Sequence, residues 1–480
     1  MQSLRIYRAT GLPVAPLPVP KSITAIVGYG KGTYIGEVRG PYQSLAECAA
    51  EMDHTAGDIL KYGHTAVYRW VRDFMSQGGR SIYVVEPTLS AAQTLTCTGN
   101  GTKREFDIIT DKTGGAGALT LSPVPGTLSV EHPLASFLVE GTDYIVDYSN
   151  GVVKFKTAPA AAADNIRLIF KEYTAVNCTA AFVKLENKDV AIVGGAYFAS
   201  DNGNYSLVDT IDAHVDAAAV LFRPRRAMWT GYYGDYTAAA NHIGAKAQGY
   251  NNADMVGWAN LSGYYNANLT DPSISWQEYH DPSAHKAGIA SSRDPWKSMH
   301  EQPVNDLGQV SDWTSTQITA LAGAFVNYVA WDGYGSYRTK NGWTCETIGS
   351  QVYLYTDAKA TWNYVLYKQR ADFYSANIFG NISVGRDEMM MVEQTILNSL
   401  TKVYVEGAID NPAQLSTDFP QYKPVMSILI DALRKDPVDR TVAERAYIQN
   451  VQNVTRKEDI RVYYDYKGSL HYIDMYLGGL

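Results

Sequence analysis

Val71-Arg72-Asp73-Phe74-Met75-Ser76-Gln77-Gly78-Gly79-Arg80-Ser81-Ile82-Tyr83-Val84-Val85 is the stretch on which the fold turns. Just upstream, Val67, Trp70, Val71, Phe74 and Met75 recur at helical spacing, so Thr65–Gln77 reads as an amphipathic helix. Gly78-Gly79 ends it, because glycine tolerates the left-handed backbone in which helices stop. Ile82–Val85 is an apolar run and reads as a buried strand. Helix, glycine pair and buried strand make an α/β unit.

Working outward, Ser22–Val27 is an earlier buried strand followed by a Gly-rich loop, Gly28–Gly40. Ser44-Leu45-Ala46-Glu47 has capping-box spacing, in which hydroxyl and carboxylate satisfy free N–H groups at a helix start. Composition shifts near Pro87. From there to about Tyr173 the chain is rich in Gly, Thr, Ala and Val without helical periodicity. Tyr144–Tyr148, Asn150-Gly151 and Val152–Lys156 read as a hairpin, and Ile166–Tyr173 as a further strand. The α/β pattern resumes with strands at Val190–Val193, Met228–Tyr233 and Val256–Ala259 and a helix at Ser206–Phe222. Ser262–Trp313 reads as a long loop rich in Tyr, Asn, Asp and Pro. Thr314 and Gln317 cap a short helix that leads to Phe325–Trp331, a turn at Asp332-Gly333 and Tyr334–Thr339. Helices are expected at Asp357–Phe379, Arg386–Glu406 and Pro424–Lys435. The second of these carries Met389, Val392, Ile396, Leu400 and Val403 on one stripe.

The expected fold class is therefore α/β (α+β): an inner body formed from N- and C-terminal parts, an inserted small all-β domain of sandwich or barrel type, and extended terminal arms. The expected divisions are an arm at 1–21, a first α/β part at 22–87, the β domain at 88–174, a second α/β part at 175–340, a C-terminal helical part at 341–455 and a strand arm at 456–480.

At 480 residues the chain exceeds one ordinary core. With 46% apolar and 19% charged residues it is a folding composition, and a formal charge of −8 gives no reason to expect nucleic acid across the surface. Tyrosine, at 35 against 12 Phe and 9 Trp, suits wet contacts because the ring buries while the hydroxyl stays at an edge. A β-rich fold with half-exposed strand positions explains it equally well. The chain shows no signal peptide pattern and no run near the roughly 20 apolar residues of a membrane helix, so synthesis and folding in the cytoplasm are expected. The sequons at Asn177 and Asn268 then read as chance matches. Cys48, Cys97, Cys178 and Cys345 lie far apart with no C-x-x-C and read as buried thiols; Cys97 and Cys178, which flank the β segment, are the pair to test for oxidation.

No constellation points to catalysis. Gly28-Tyr29-Gly30-Lys31-Gly32-Thr33 follows a strand, but Gly32 stands where a phosphate loop needs a hydroxyl after the lysine, and Ala25 where it needs its first glycine. His54, His64, His214, His242 and His285 are scattered without metal-ligand spacing. Asp387-Glu388 suits the positive end of a helix. Arg223-Pro224-Arg225-Arg226 is the tight basic cluster. It reads first as complementing the end of the preceding helix, then as a docking patch for an acidic partner. No enzyme activity, cofactor, metal or small-molecule substrate is expected.

Both ends of the sequence are apolar, extended and tyrosine-bearing: Leu4, Ile6, Tyr7 and Val14 at the start, Val462, Tyr464, Tyr466, Leu470, Tyr472, Ile473 and Met475 at the finish. A lone strand offers an open row of backbone donors and acceptors, so these read as arms that pair with another molecule. Gly11–Pro20 and Asn453–Glu458 read as their joints.

Several segments in order resemble the tail sheath proteins of contractile phages and contractile injection systems. Gly30–Gly36 with Leu45–Met52 resembles the family's Gly-rich loop and short helix. Val71–Val85 resembles its helix, glycine pair and strand. Lys188–Val193 with the helix after it resembles the next α/β unit, and Ala320–Val329 with Tyr334–Thr339 its "A-G-V-N … W-G-x-R-T" region. The last strand resembles its C-terminal arm. Tyr337 stands before Arg338 where many sheaths have a small residue. The resemblance implies a structural subunit of a virion tail, assembled in the host cytoplasm. It would form stacked hexameric rings around an inner tail tube protein, with a baseplate and a tail terminator as further partners and no membrane insertion. The arms would add strands to neighbours, Arg223, Arg225 and Arg226 would be candidates to face the tube, and contraction would release energy stored in a metastable lattice without ATP. The alternatives are another tail, baseplate or surface-layer assembly protein, or a carbohydrate-binding tail protein using the aromatic stretch Trp276–Trp313.

Overall fold

The computed structural model describes residues 23–466 except 109–110, 116–123, 148–151, 197–205, 221–224, 233–242, 261–279, 306–312, 333–335, 347–354, 377, 379–382, 419, 456–457 and 459. Leu4, Ile6, Tyr7, Val14, Arg223, Leu470, Tyr472, Ile473 and Met475, the joint at Gly11–Pro20 and the Asn150-Gly151 turn lie outside the described residues. The chain divides into two compact units, one spanning mainly 20–356 and the other mainly 357–480.

The first unit opens with β1 (Ile23–Gly28), β2 (Val38–Tyr42), α1 (Leu45–Met52), α2 (Ala56–Tyr62), α3 (Ala66–Ser76) and β3 (Ser81–Val85). The quoted stretch folds as read. Thr65 caps α3 through its side chain, and Val67, Trp70, Val71 and Phe74 are buried. Gly78 adopts φ +91°, and a Cβ on Gly79 would sit 2.4 Å from the Phe74 ring. At α1 the capping box is halved: Ser44 accepts from Glu47 N, but the Glu47 carboxylate accepts from Gln43 N.

Strands β4 (Gln93–Gly99), β5 (Glu105–Asp107), β6 (Lys112–Gly115), β7 (Ser129–Glu131), β8 (Tyr144–Asp147), β9 (Val152–Phe155) and β10 (Ala162–Phe170) follow. They form two small sheets, β6-β4-β10-β7 and β5-β9-β8, around a core of their own that includes Leu95, Phe106, Val130, Val153 and Leu168. This segment stays within the first compact unit.

The α/β pattern continues through α4 (Ala175–Val183), β11 (Ile192–Ala196), α5 (Ser206–Val220), β12 (Arg226–Tyr232), α6 (Ile243–Tyr250) and β13 (Met255–Asn260). The main sheet has the order β13-β12-β11-β1-β3-β2, parallel throughout except for β2 at one edge. The chain moves one way from β1 to β3 and the other way from β11 to β13. Right-handed crossovers in opposite directions place α3 on one face and α4 and α5 on the other. Burial on both faces explains the mainly apolar composition of β1 and β3, in which Thr24 and Ser81 are the buried polar members.

Where a long loop was expected, α7 (Pro282–Ser291) packs against α3 and the sheet with nearly every residue buried. Asp281 caps it and Pro282 fills its first turn. Gly288 permits the close approach to α3, since a Cβ there would lie 2.2 Å from the Phe74 carbonyl oxygen. The unit closes with β14 (Pro303–Val304), α8 (Ser315–Gly323), β15 (Tyr328–Trp331) and β16 (Tyr337–Lys340). Thr314 and Gln317 form the expected capping box. Fully buried Asn327 staples this part to the main sheet, donating to the carbonyls of Gly257 and Trp343 and accepting from Trp343 N. Cys345 bridges to Asn252, which is why this unit runs past the expected boundary at 340.

The second unit contains α9 (Thr356–Ser375), α10 (Arg386–Val405), α11 (Leu415–Asp418), β17 (Val425–Met426), α12 (Ile428–Arg434), α13 (Val442–Asn450), a π-helical turn at Val451–Thr455 and β18 (Arg461–Val462). The α10 stripe is buried as read and packs with Leu429, Ile430 and Leu433. Two expectations are corrected. Pro424–Lys435 is a short strand followed by a helix capped by Ser427, and α13, with a complete Thr441–Glu444 capping box, precedes the last strand.

Candidate functional site

The switch of winding direction at β1 puts the Gly28–Gly36 loop where open α/β sheets bind ligands, beyond the carboxyl ends of the strands. The place is filled from within. Glu86, after β3, is 1% exposed, and its carboxylate accepts from Gly32 N at 2.9 Å and Tyr34 N at 3.1 Å. A Cβ on Gly30 would lie 2.2 Å from Glu86 Oε1. The glycines wrap a side-chain carboxylate where a nucleotide loop would wrap phosphate. Burial pushes the Glu86 pKa up, opposed by the Gly32 and Tyr34 amides.

The expectation of scattered histidines is corrected at α7. Asp73, His280 and His285 are buried together with candidate ligand atoms within 4.8 Å of one another. Their facing atoms already have partners. Arg72 Nε donates to Asp73 Oδ1 at 2.9 Å, Arg72 Nη2 lies 3.0 Å from His280 Nδ1, Asp281 N donates to Asp73 Oδ2, and His285 Nδ1 donates to the Asp281 carbonyl. The Arg72 guanidinium contacts both Asp73 and His280, so the cluster reads as a polar tie between α3 and α7, with His285 Nε2 left without a hydrogen-bond partner among the described residues. Burial works against the Asp73 carboxylate, but His285, His280 and Arg72 hold it down to about 2. Burial keeps His285 below its ordinary range and raises Asp281 to about 6. Sequence reading missed this cluster because its members lie about 200 residues apart; the Asp281-Pro282 helix start was the available signal.

The basic cluster divides. Arg225 is 1% exposed and points inward. Its guanidinium donates to the carbonyls of Leu185 at 2.8 Å, Lys188 at 3.0 Å and Glu186 at 3.3 Å, and lies 2.6 Å from His214 Nε2. It satisfies the turn after α4, and the docking role expected for it is corrected. Arg226 is half-buried in β12. His214, desolvated and beside Arg225, is pushed down to about 3. The four cysteines are free and buried, Cys97 and Cys178 in separate cores, and burial pushes the thiols of Cys48, Cys97 and Cys345 up to about 12. Asn177, from the first sequon, is committed to the α4 capping box.

No family model matches the chain, and no curated protein matches it in sequence. Solved structures do match in fold. A chain of the anti-feeding prophage baseplate aligns over 99% of this chain and 99% of its own, with a TM-score of 0.53 and 12% identity. A chain of the helical sheath of the same prophage in its contracted state aligns over 98% of this chain and 99% of its own, with a TM-score of 0.51 and 10% identity. The fold is that of contractile-sheath proteins.

Within this sheath fold the C-terminal expectations are narrowed. β18 pairs antiparallel with β17, Val425 opposite Val462, and Ile460 and Val462 belong to the core of the second unit. Tyr464 packs against that core and Tyr466 bridges Ile409. Glu458, expected in a joint, accepts from Ser427 Oγ, Leu429 N and Tyr447 Oη. Val462, Tyr464 and Tyr466 thus serve their own chain, because the β17 edge and the α10–α12 core cover them. Of the segment 456–480 expected as an arm, the described residues from Ile460 to Tyr466 make contacts within their own unit. Among the described residues no helix is long and apolar enough to cross a membrane.

Proposed function

We propose that this protein is the structural subunit of a contractile sheath, polymerising around an inner tube and shortening to drive that tube through an envelope. The observation that carries the proposal is the end-to-end fold agreement with a chain of a contracted helical sheath. A common fold over almost the whole of both chains leaves both compact units matched, which a shared α/β module alone would not do. The subunit acts mechanically on this reading, and the sites that resemble catalytic ones are internal ties.

In this proposal the partners are further copies of the chain, the inner tube protein, the baseplate and a terminator, in a tail assembled in the host cytoplasm. Segment 88–174 is an inserted domain, supported by its separate core. The two-stranded β17-β18 sheet supports a strand-exchange role for 1–21 and 467–480, since a lone pair of strands is marginal and gains from added ones. Electron microscopy of the purified protein tests the function. Hollow cylinders wide enough for a tube are expected; discrete small oligomers would overturn it.

A further inference from the structure

Two exposed apolar surfaces in the first unit complement one another. Between β7 and β8, Leu134 is 47%, Phe137 63% and Val139 59% exposed. The loop is held open by its own backbone: Ser136 N donates to Pro133 O, Leu138 N to Val130 O and Asp143 N to Val139 O. Three large apolar side chains on a fixed loop, bordered by Glu140 and Asp143, form a preorganised knob. The second surface is the outer side of α4. Val176 (77% exposed) and Val183 (51%) stand one above the other, with exposed Thr179 and Ala180 between them. This is an i, i+3, i+4, i+7 stripe. The Thr179 hydroxyl donates to Ala175 O, so the stripe presents no free polar group; exposed Lys184 caps the end of the helix and exposed Lys171 lies in the linker that leads into it. An outer helix face of a soluble domain ordinarily carries charge.

We propose that the 134–139 loop of one copy docks on the α4 stripe of a second copy. The knob's border carries Glu140 and Asp143 against one lysine, Lys156 on the Gly141 carbonyl, and the stripe's ends carry Lys171 and Lys184, so opposite net charge favours this pairing over either surface meeting itself. The loop does not lie on its own helix: Leu134, Phe137 and Val139 are exposed, as are Val176 and Val183, so neither surface covers the other within one copy. Two different patches meeting between copies make a head-to-tail contact, the kind that builds rings or helices. The inference deepens the sheath reading by naming one contact of its lattice.

Full-length Phe137→Cys and Ala180→Cys proteins, mixed and treated with a short bismaleimide, test it; both positions are exposed and the four native cysteines are buried. Cross-linked dimers are expected from the mixture at least tenfold above either variant alone, and Ala180→Asp should reduce assembly without changing circular dichroism. Cylinders without the cross-link would overturn this contact and leave the sheath. Cross-linked oligomers without cylinders would keep the contact and remove the sheath. Absence of both overturns both, and cross-linking of Phe137→Cys with itself overturns the pairing.

Discussion

Arg225→Ala should destabilise the first unit severely, although the residue sits in what the sequence presents as a surface basic cluster. The side chain is buried and its guanidinium serves three carbonyl oxygens in the turn after α4. A hydrogen bond to a charged donor contributes about 1.5–3 kcal/mol, and the three share one cation whose desolvation offsets part of the sum. Removing one partner from a buried charged network costs about 3–5 kcal/mol, because the groups left behind are desolvated and unpaired. At about 2–4 °C per kcal/mol for a large domain, the unfolding midpoint should fall by on the order of 10 °C. Thermal unfolding followed by circular dichroism, with guanidinium titration for the free energy, reads this directly. Arg225→Lys should recover only part of it, since an ammonium cannot span three carbonyls. A loss below about 1 kcal/mol, together with lost assembly, would refute the reasoning and return Arg225 to a docking role.

Other expectations follow the same logic. His214 titrates at about 3 in the fold and near 6.5 when unfolded. The unfolded state therefore binds more protons, and stability should decline as pH falls from about 6.5 toward 3, by on the order of 4 kcal/mol from this group. His214→Gln should flatten that slope in acid denaturation curves. Lys286 is fully buried over the Trp258 ring with its amine on the Met299 carbonyl; burial, with Arg293 and Arg226 nearby, keeps it well below the ordinary ammonium range. Among the described residues no carboxylate pairs with it. Lys286→Met should raise stability at pH 7 by about 1–2 kcal/mol. That gain should shrink as pH rises from 7 to 9, because the proton the wild-type lysine must release on folding is lost more cheaply as pH approaches its unfolded value of 10.5. Gly288→Ala should cost more than the usual 1–3 kcal/mol of overpacking, because the obstructing atom is the Phe74 backbone oxygen; urea denaturation would show it.

Legibility in the sequence followed locality. Val67, Trp70, Val71 and Phe74, the glycine pair and Ile82–Val85 specify their elements through spacing within a few residues, and they appear as read. The α10 stripe and the Thr314–Gln317 cap are equally local. Helix α7 was illegible because it is buried all round: Ser283, His285 and Lys286 face inward beside Ala284 and Ala287, so no apolar face alternates with a polar one. The Ser283 N–H donates to Thr230, the Lys286 amine to the Met299 carbonyl, and His285 lies 4.0 Å from the Asp73 carboxylate, and neither Thr230 nor Asp73 is near in the sequence. Arg225 misled for the same reason. Three cations within four residues look solvated, and the fold shows that Arg225 turns inward. Val462 and Tyr466 looked like a free arm because alternation marks a strand without saying which edge receives it.

We propose that copies of this chain build a sheath by strand exchange through 1–21 and 467–480. A cryo-electron microscopy reconstruction of assembled full-length protein addresses it most directly. Stacked six-membered rings with an open lumen are expected, with density for 467–480 continuing from Tyr466 onto the β17-β18 sheet of a second subunit. Rings in which that density folds back onto its own subunit, or a closed oligomer with no lumen, would contradict it.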